Sequence, residues 1–225
     1  VIDAALDSHV KKVVALSTDK ASSPVNMYGA SKLASDKMFI SSNSYSGGRG
    51  TAFSVVRYGN VMGSRGSVLP LFYKLKDLGK IPITDERMTR FMITLQQGVQ
   101  FVCLALEKMV GGEIFIKKIP SMNILDIAEA IAPNVPIELV GIRPGEKIHE
   151  QMIGEEDAPF TREYDEYFKI LPNIDTTLYQ SKRWSGGKAV ATRFVYDSGT
   201  NKQLLSVREL QAWIRENEQT LKQEL

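Results

Sequence analysis

Two short runs rich in β-branched residues most constrain the fold: residues 12–17 (KVVALS) and 51–58 (TAFSVVRY). Runs this apolar suit strands buried on both faces of a parallel sheet. Between them, residues 27–45 have helical spacing through Leu33, Met38 and Phe39, and Gly47, Gly48 and Gly50 end the pattern. Parallel neighbours cannot be joined by a tight turn; they need a crossover, and a helix provides it. Strand, helix, strand with short links is a βαβ unit, so the chain is an α/β protein with a parallel sheet.

The pattern continues beyond residue 66. Residues 68–78 read as a helix stopped by Gly79, 81–84 as a strand, and 94–109 as a helix with Val99, Val102, Cys103 and Leu106 on its buried face. Cys103 is thereby expected in the core. Strands are expected at 113–117, 137–140 and 167–171, and helices at 124–132, 147–153 and 207–221. The stretch 157–199 is otherwise irregular and polar.

Composition narrows the partners. There are 28 Lys and Arg against 26 Asp and Glu, a net +2, so no global field draws in nucleic acid or anionic lipid. One Cys excludes an internal disulfide, and two His with one Cys leave little for a transition-metal site. No apolar run approaches the roughly 18–20 residues of a membrane span, and the first residues lack the apolar core of a signal peptide. A cytoplasmic protein with no membrane partner is expected. The chain opens inside helical spacing (Ile2, Ala5, Leu6, Val10) with no cap before it, so a preceding segment is expected.

The chemistry starts with Tyr28 and Lys32 in Y28-G-A-S-K32. Four residues apart on a helix, they share one face. An ammonium beside a phenol favours the phenolate, and such a pair can take a proton from an alcohol while hydride leaves the same carbon. The pair follows a strand ending in Ser17-Thr18, and the carboxyl ends of parallel strands are where α/β proteins bind ligands.

Strand, Ser/Thr, loop, Tyr-x-x-x-Lys, helix, strand resembles the active-site half of a short-chain dehydrogenase/reductase, and R57-Y-G-N-V61 resembles the extended members that act on nucleotide sugars. Thr18-Asp19-Lys20 stands where 4,6-dehydratases of this family typically carry Thr-Asp-Glu and simple epimerases carry small residues. With L16-S-T-D-K-A21, I83-T-D-E-R-M-T-R-F91 and R143-P-G-E-K-I-H-E150, the chain closely resembles the inverting dehydratases of UDP-N-acetylglucosamine, which begin pseudaminic acid synthesis for bacterial surface glycans. The resemblance runs from Val1 to about Asn173. Membrane-anchored relatives carry Met at the position of Tyr28.

That resemblance implies a fold and a set of roles. Residues 1–80 become the C-terminal part of a Rossmann-type doubly wound parallel sheet. Residues 81–225 become mainly a smaller α/β substrate-binding lobe, with some segments returning to the Rossmann domain. Thr18, Asp19, Lys20, Tyr28 and Lys32 form the catalytic set. Ser17, Val61, Tyr28 and Lys32 line the cofactor, implied to be NADP, with NAD not excluded. Lys20, Asn60, Arg65, Arg143 and Glu146 hold the UDP-sugar, Arg143 through a planar fork suited to phosphate oxygens. Arg90 is a lesser phosphate candidate, and His149 reads as structural. No metal is implied, and the family commonly forms homo-oligomers. Neither G-x-G-x-x-G nor G-x-x-G-x-x-G occurs, so the pyrophosphate-cradling turn is missing. The chain therefore reads as a fragment, and the isolated 225 residues are expected to be inactive. Another extended nucleotide-sugar enzyme, such as a 4-epimerase or a retaining 4,6-dehydratase, is the alternative reading, with a non-catalytic scaffold as a further one.

Overall fold

The computed structural model describes residues 1–46, 50–64, 67–172 and 186–217. In chain order it contains α1 (Ile2–Asp7), β1 (Lys12–Thr18), α2 (Met27–Ser46), β2 (Ala52–Tyr58), β3 (Asn60–Val61), α3 (Val68–Leu75), β4 (Ile81–Ile83), β5 (Thr89–Ile93), α4 (Leu95–Lys108), β6 (Ile114–Lys117), β7 (Ser121–Asn123), α5 (Ile124–Ile131), β8 (Ile137–Leu139), β9 (Gln151–Ile153), β10 (Thr161–Glu163), β11 (Tyr167–Ile170), β12 (Lys188–Ala189) and α6 (Val207–Glu216). The chain forms two compact units: residues 1–58, 99–118 and 151–196, and residues 59–98, 119–150 and 197–225.

The first unit is built on a six-stranded sheet in the order β1-β2-β6-β11-β10-β12. β1, β2 and β6 run parallel, and β11 and β10 extend the sheet antiparallel. Phe53, Val55 and Val56 of β2 are fully buried, each side chain worth about 1.5–3 kcal/mol out of water. The C-terminal half of α2 docks on β2 through Phe39 against Phe53, ring centroids 6.3 Å apart. There Asn43 also acts as a strand partner: its Oδ1 accepts from the Phe53 N–H at 3.0 Å and its Nδ2 donates to the Phe53 carbonyl at 2.9 Å. Buried Glu113 ties down the turn before β6, accepting from the Val110 and Gly111 amides and from Ser54 Oγ.

The second unit holds the three-stranded sheet β3-β5-β7 and the parallel pair β4-β8. Its core gathers Met62, Leu69, Phe72, Ile81, Met92, Met122, Ile127 and Leu210. α3 tightens into a 3-10 turn that ends at Gly79 with φ 83°, a left-handed cap that suits glycine. α6 opens on a capping box in which Ser206 and Glu209 bond each other's backbone N–H. Among the described residues, no helix is long and apolar enough to cross a membrane.

Several expectations need correction. The apolar side of α4 that packs is Phe101, Ala105 and Met109, while Val99 is 55% and Leu106 43% exposed, and Cys103 is exposed too. Both stripes have helical spacing; the one carrying the large Phe101 ring meets Val56 and Phe115 of the sheet. Residues 147–153 are not a helix: a turn at Pro144-Gly145 leads into β9, whose Met152 and Ile153 are fully buried. The tract 157–199 holds β10 and β12 as well as the expected strand. Of the segments beyond residue 80, 99–118 and 151–196 lie with the first unit, where β6 pairs beside β2, and residues 59–80 lie with the second. The last part of the predicted helix 207–221 lies outside the described residues.

Candidate active site

β1 carries its hydroxyl pair at the carboxyl end, with Ser17 in register with Arg57 and Thr18 with Tyr58 of the parallel neighbour β2. The chain then turns through a 3-10 segment, Asp19–Ala21. Thr18 caps this turn: its Oγ1 accepts from the Lys20 N–H and donates to Asp19 Oδ1 at 2.9 Å. Lys20 Nζ reaches the same Oδ1 at 3.1 Å. Asp19 is fully buried, and its Oδ2 is buried with no hydrogen-bond partner; an unpaired buried carboxylate oxygen is costly. The turn thus holds one carboxylate and one amine in contact, with a carboxyl oxygen left over.

α2 starts directly over this turn. Asn26 Oδ1 accepts from the Gly29 N–H at 2.8 Å and the Asn26 carbonyl accepts from Ala30 N, the work of an N-cap residue. A Cβ at position 29 would stand 2.4 Å from the Lys20 carbonyl oxygen and 2.9 Å from Pro24 Cβ. Glycine is therefore required for the Tyr28–Gly29 backbone to come this close to Lys20. Tyr28 is 53% exposed. One turn on, Lys32 Nζ donates to the Leu16 carbonyl at 3.2 Å, which fixes the ammonium at the end of β1. A phenol and an ammonium spaced this way, beside an acid–amine pair, fit the ribose of a nicotinamide dinucleotide and an alcohol substrate.

The structure thus brings Thr18, Asp19, Lys20, Tyr28 and Lys32 into one corner of the first unit. Ser17 is there too, buried, with its hydroxyl donating to Asp36 Oδ2 at 2.9 Å. A family model described as a polysaccharide biosynthesis protein matches residues 1–172, more than half of the chain. The chain belongs to this family.

Two further comparisons stand beside the family match. The UDP-N-acetylglucosamine 4,6-dehydratase (inverting) of Campylobacter jejuni strain 81-176 is 51% identical over 217 residues, 93% of this chain and 65% of that protein. The UDP-glucose 4-epimerase of Rickettsia canadensis is 37% identical over 209 residues, 91% of this chain and 61% of that protein. The chain therefore spans about two thirds of these curated relatives, or slightly less. Among solved structures, Pen from Bacillus thuringiensis superposes with a TM-score of 0.83 at 36% identity, over 97% of this chain and 66% of that one. A dTDP-glucose 4,6-dehydratase from Bacillus anthracis with bound NAD matches at TM-score 0.58 and 14% identity, covering 100% of this chain and 68% of that one, which shows the shared Rossmann-like fold.

The remaining expected residues of this family member lie in the second unit. Asn60 and Val61 form β3, paired to Met92 and Ile93 of β5. Arg143 is exposed. Its backbone N–H donates to Glu146 Oε2 at 3.1 Å, and Glu146 N donates back to the Arg143 carbonyl. R143-P-G-E146 is thus a self-tied turn, with Gly145 at φ 83°. Arg90 is spent on structure: Nη1 donates to the Thr89 and Ile148 carbonyls, and Nε lies 3.8 Å from Glu150. His149 Nδ1 meets Thr89 Oγ1 at 2.8 Å, a structural contact. Arg65 lies outside the described residues.

Three residues near the site were not singled out by sequence reasoning. Tyr58 stands in register with Thr18; burial raises its phenol above the usual tyrosine value, and Tyr28 adds to the rise. It is a neutral phenol on the strand beside Thr18. Gly29 sets the approach of α2, and Asp36 receives the Ser17 hydroxyl. The signal for Tyr58 and Gly29 was in the motifs themselves, R57-Y58 and Y28-G29. The signal for Asp36 was its i+4 position after Lys32.

Proposed function

We propose that this protein is a nucleotide-sugar 4,6-dehydratase that inverts C5, acting on UDP-N-acetylglucosamine with a nicotinamide dinucleotide, NADP on the resemblance, as cofactor. The observation that carries the reading is the Lys20 Nζ–Asp19 Oδ1 contact of 3.1 Å at the end of β1, against the turn of α2 that bears Tyr28. An epimerase needs a base and a cofactor at C4; it has no use for an additional acid–amine pair. The 51% identity to the Campylobacter dehydratase supports the same reading.

The residues divide the work by chemistry. A bound nicotinamide dinucleotide, its ribose held by Lys32, would supply the hydride chemistry that oxidation at sugar C4 and reduction at C6 require. Tyr28 removes the proton from the 4-hydroxyl as general base. Lys32, held at the Leu16 carbonyl, binds the cofactor ribose and supports the phenolate. The ketone at C4 acidifies the C5 hydrogen. One proton moved from Lys20 Nζ to Asp19 across their contact turns an ammonium and a carboxylate into an amine and a carboxylic acid. Neutral Lys20 then removes the C5 proton, and Asp19 protonates the departing 6-hydroxyl. A proton from solvent added to C5 on the opposite face completes the inversion, and the proton taken up by Tyr28 returns to solvent while Lys20 and Asp19 regain their starting states, with net loss of one water. Arg143, Glu146 and Asn60 hold the UDP portion. Arg143 offers a bidentate fork for the diphosphate.

The test uses protein expressed from its complete reading frame, incubated in deuterated water with UDP-N-acetylglucosamine and either NADP or NAD. The expected product, read by NMR, is a 6-deoxy-4-keto sugar with inverted C5 carrying solvent deuterium. Recovery of a C4 epimer, or of a dehydrated sugar with C5 retained, sinks the proposal.

A further inference from the structure

A buried ion pair stands next to the catalytic set without taking part in it. Asp36 lies four residues after Lys32 and eight after Tyr28, on the same stripe of α2. It is 2% exposed. Its Oδ2 accepts from Ser17 Oγ at 2.9 Å and from Arg57 Nη2 at 3.1 Å. Arg57 is itself 2% exposed; Nη1 donates to the Met152 carbonyl at 2.7 Å and approaches Asp157 at 4.0 Å, while Nε is buried with no partner. One carboxylate oxygen therefore joins α2, the end of β1 and the end of β2, and the guanidinium carries the link on to β9.

We infer that the Asp36–Arg57 ion pair is a positioning device that sets α2 against the end of β1, and so fixes Tyr28 and Lys32 relative to Asp19 and Lys20. The inference rests on the catalytic reading of those residues. Stability alone explains the pair poorly. Burying two charges costs heavy desolvation, and an apolar pair of similar volume usually packs as well or better. An orphaned Nε adds to that cost. What charge supplies and apolar packing does not is direction: a planar fork between a carboxylate and a carbonyl admits one rotation and one depth of the helix. The location agrees. The far half of α2 is held by neutral contacts, Phe39 and Asn43 on Phe53. The charged link occurs in the half that carries the chemistry, one residue before Thr18 along β1 and one before Tyr58 along β2.

Arg57→Gln, Asp36→Asn and the double variant test this in the complete protein. Asp36→Asn keeps the size and removes the charge. Each single variant is expected to lower kcat at least about tenfold, with KM for the UDP-sugar within about twofold, since displacements of about 1 Å far from the reacting atoms can cost 10²-fold. The double variant is expected to lose no more than the worse single, because one link is broken in all three. Amide hydrogen exchange gives a readout that needs no turnover. Faster exchange is expected at residues 17–21 and 27–36, with 114–117 of β6 unchanged. Activity within twofold of wild type, additive losses, or faster exchange spread through β6 overturns the inference. If the wild-type protein dehydrates no nucleotide sugar, the catalytic reading fails, while the exchange pattern still decides whether the pair positions α2.

Discussion

Gly29→Ala should be the most informative single methyl group in the molecule. Its Cβ would stand 2.4 Å from the Lys20 carbonyl oxygen, about 1 Å inside the ordinary 3.4 Å limit of van der Waals contact. The obstructing atom is backbone, so no rotamer change relieves it, and α2 or the Asp19–Ala21 turn must retreat. Two opposing effects set the stability change. Alanine in a helix gains about 0.5–1 kcal/mol over glycine, while overpacking costs about 1–3 kcal/mol. The clash wins, and a net loss of roughly 1 kcal/mol corresponds to a Tm drop of about 2–4 °C at this chain length. The effect on turnover is larger, because the retreat separates Tyr28 and Lys32 from the acid–amine pair. A 1 Å displacement of reacting groups costs on the order of 10²-fold. Thermal unfolding by circular dichroism and initial rates of 4-keto sugar formation on the same preparation separate the two. A Gly29→Ala protein with kcat within twofold of wild type would refute the close approach of α2 to Lys20 as the basis of the site.

Other consequences follow from the same geometry. Lys20→Ala should stop dehydration, with a loss of at least about 10²-fold in NMR-monitored product formation; an unchanged rate removes Lys20 as the base. Arg143→Ala should raise KM for the UDP-sugar about tenfold or more, the worth of charged hydrogen bonds, with a smaller change in kcat, as steady-state kinetics will show. In acid, the Asp85 carboxyl is held down to about 2, first by the side-chain hydrogen bond from Arg87. A lowered folded-state value stabilises the fold above the unfolded value of 3.8, and that contribution disappears as pH falls from about 4 to about 2. Arg87→Ala should therefore lower stability by one small amount everywhere above about pH 4, pH 7 included, leave it unchanged near pH 2, and so move the acid-unfolding midpoint only slightly to higher pH, the pair being so exposed.

The local geometry of the candidate site was more legible in the sequence than the packing. Y28-G-A-S-K32 and T18-D-K20 fix their own geometry through a helix and a tight turn, because contacts within four residues follow from local backbone shape. The βαβ unit was legible for a similar reason: KVVALS and TAFSVVRY leave little choice but buried parallel strands. α4 was misread because two apolar stripes share its surface. Periodicity identifies a helix, while the neighbours decide which stripe is buried, and here Phe101 found Val56 and Phe115. Residues 147–153 failed for a different reason. A seven-residue window after Pro144-Gly145 is too short for its period to separate helix from strand. Arg90 was only a lesser phosphate candidate, and no local pattern shows that its Nη1 donates to the Thr89 and Ile148 carbonyls.

Gly29 and Asp36 restrain different freedoms of one helix, and this is open to measurement. Gly29 sets how closely the first turn of α2 approaches Lys20. The Asp36 link to Ser17 and Arg57 sets the rotation and axial position of the helix two turns later. Seven residues apart, the two positions are separated by about 10 Å along the axis at 1.5 Å per residue, and they meet different partners, Lys20 and Pro24 at Gly29 and Ser17 and Arg57 at Asp36. Sites at that distance usually contribute independently. The fold losses in kcat of Gly29→Ala and Asp36→Asn should therefore multiply in the double variant. If instead α2 moves as a rigid rod with one freedom, either change releases the same motion, and the double variant will be no slower than the worse single. The two outcomes differ by at least about tenfold given the single losses expected above, well within the resolution of a product-formation assay. A non-multiplying result would mean that Gly29 and Asp36 are two ends of one restraint, and the division of labour along α2 would have to be abandoned.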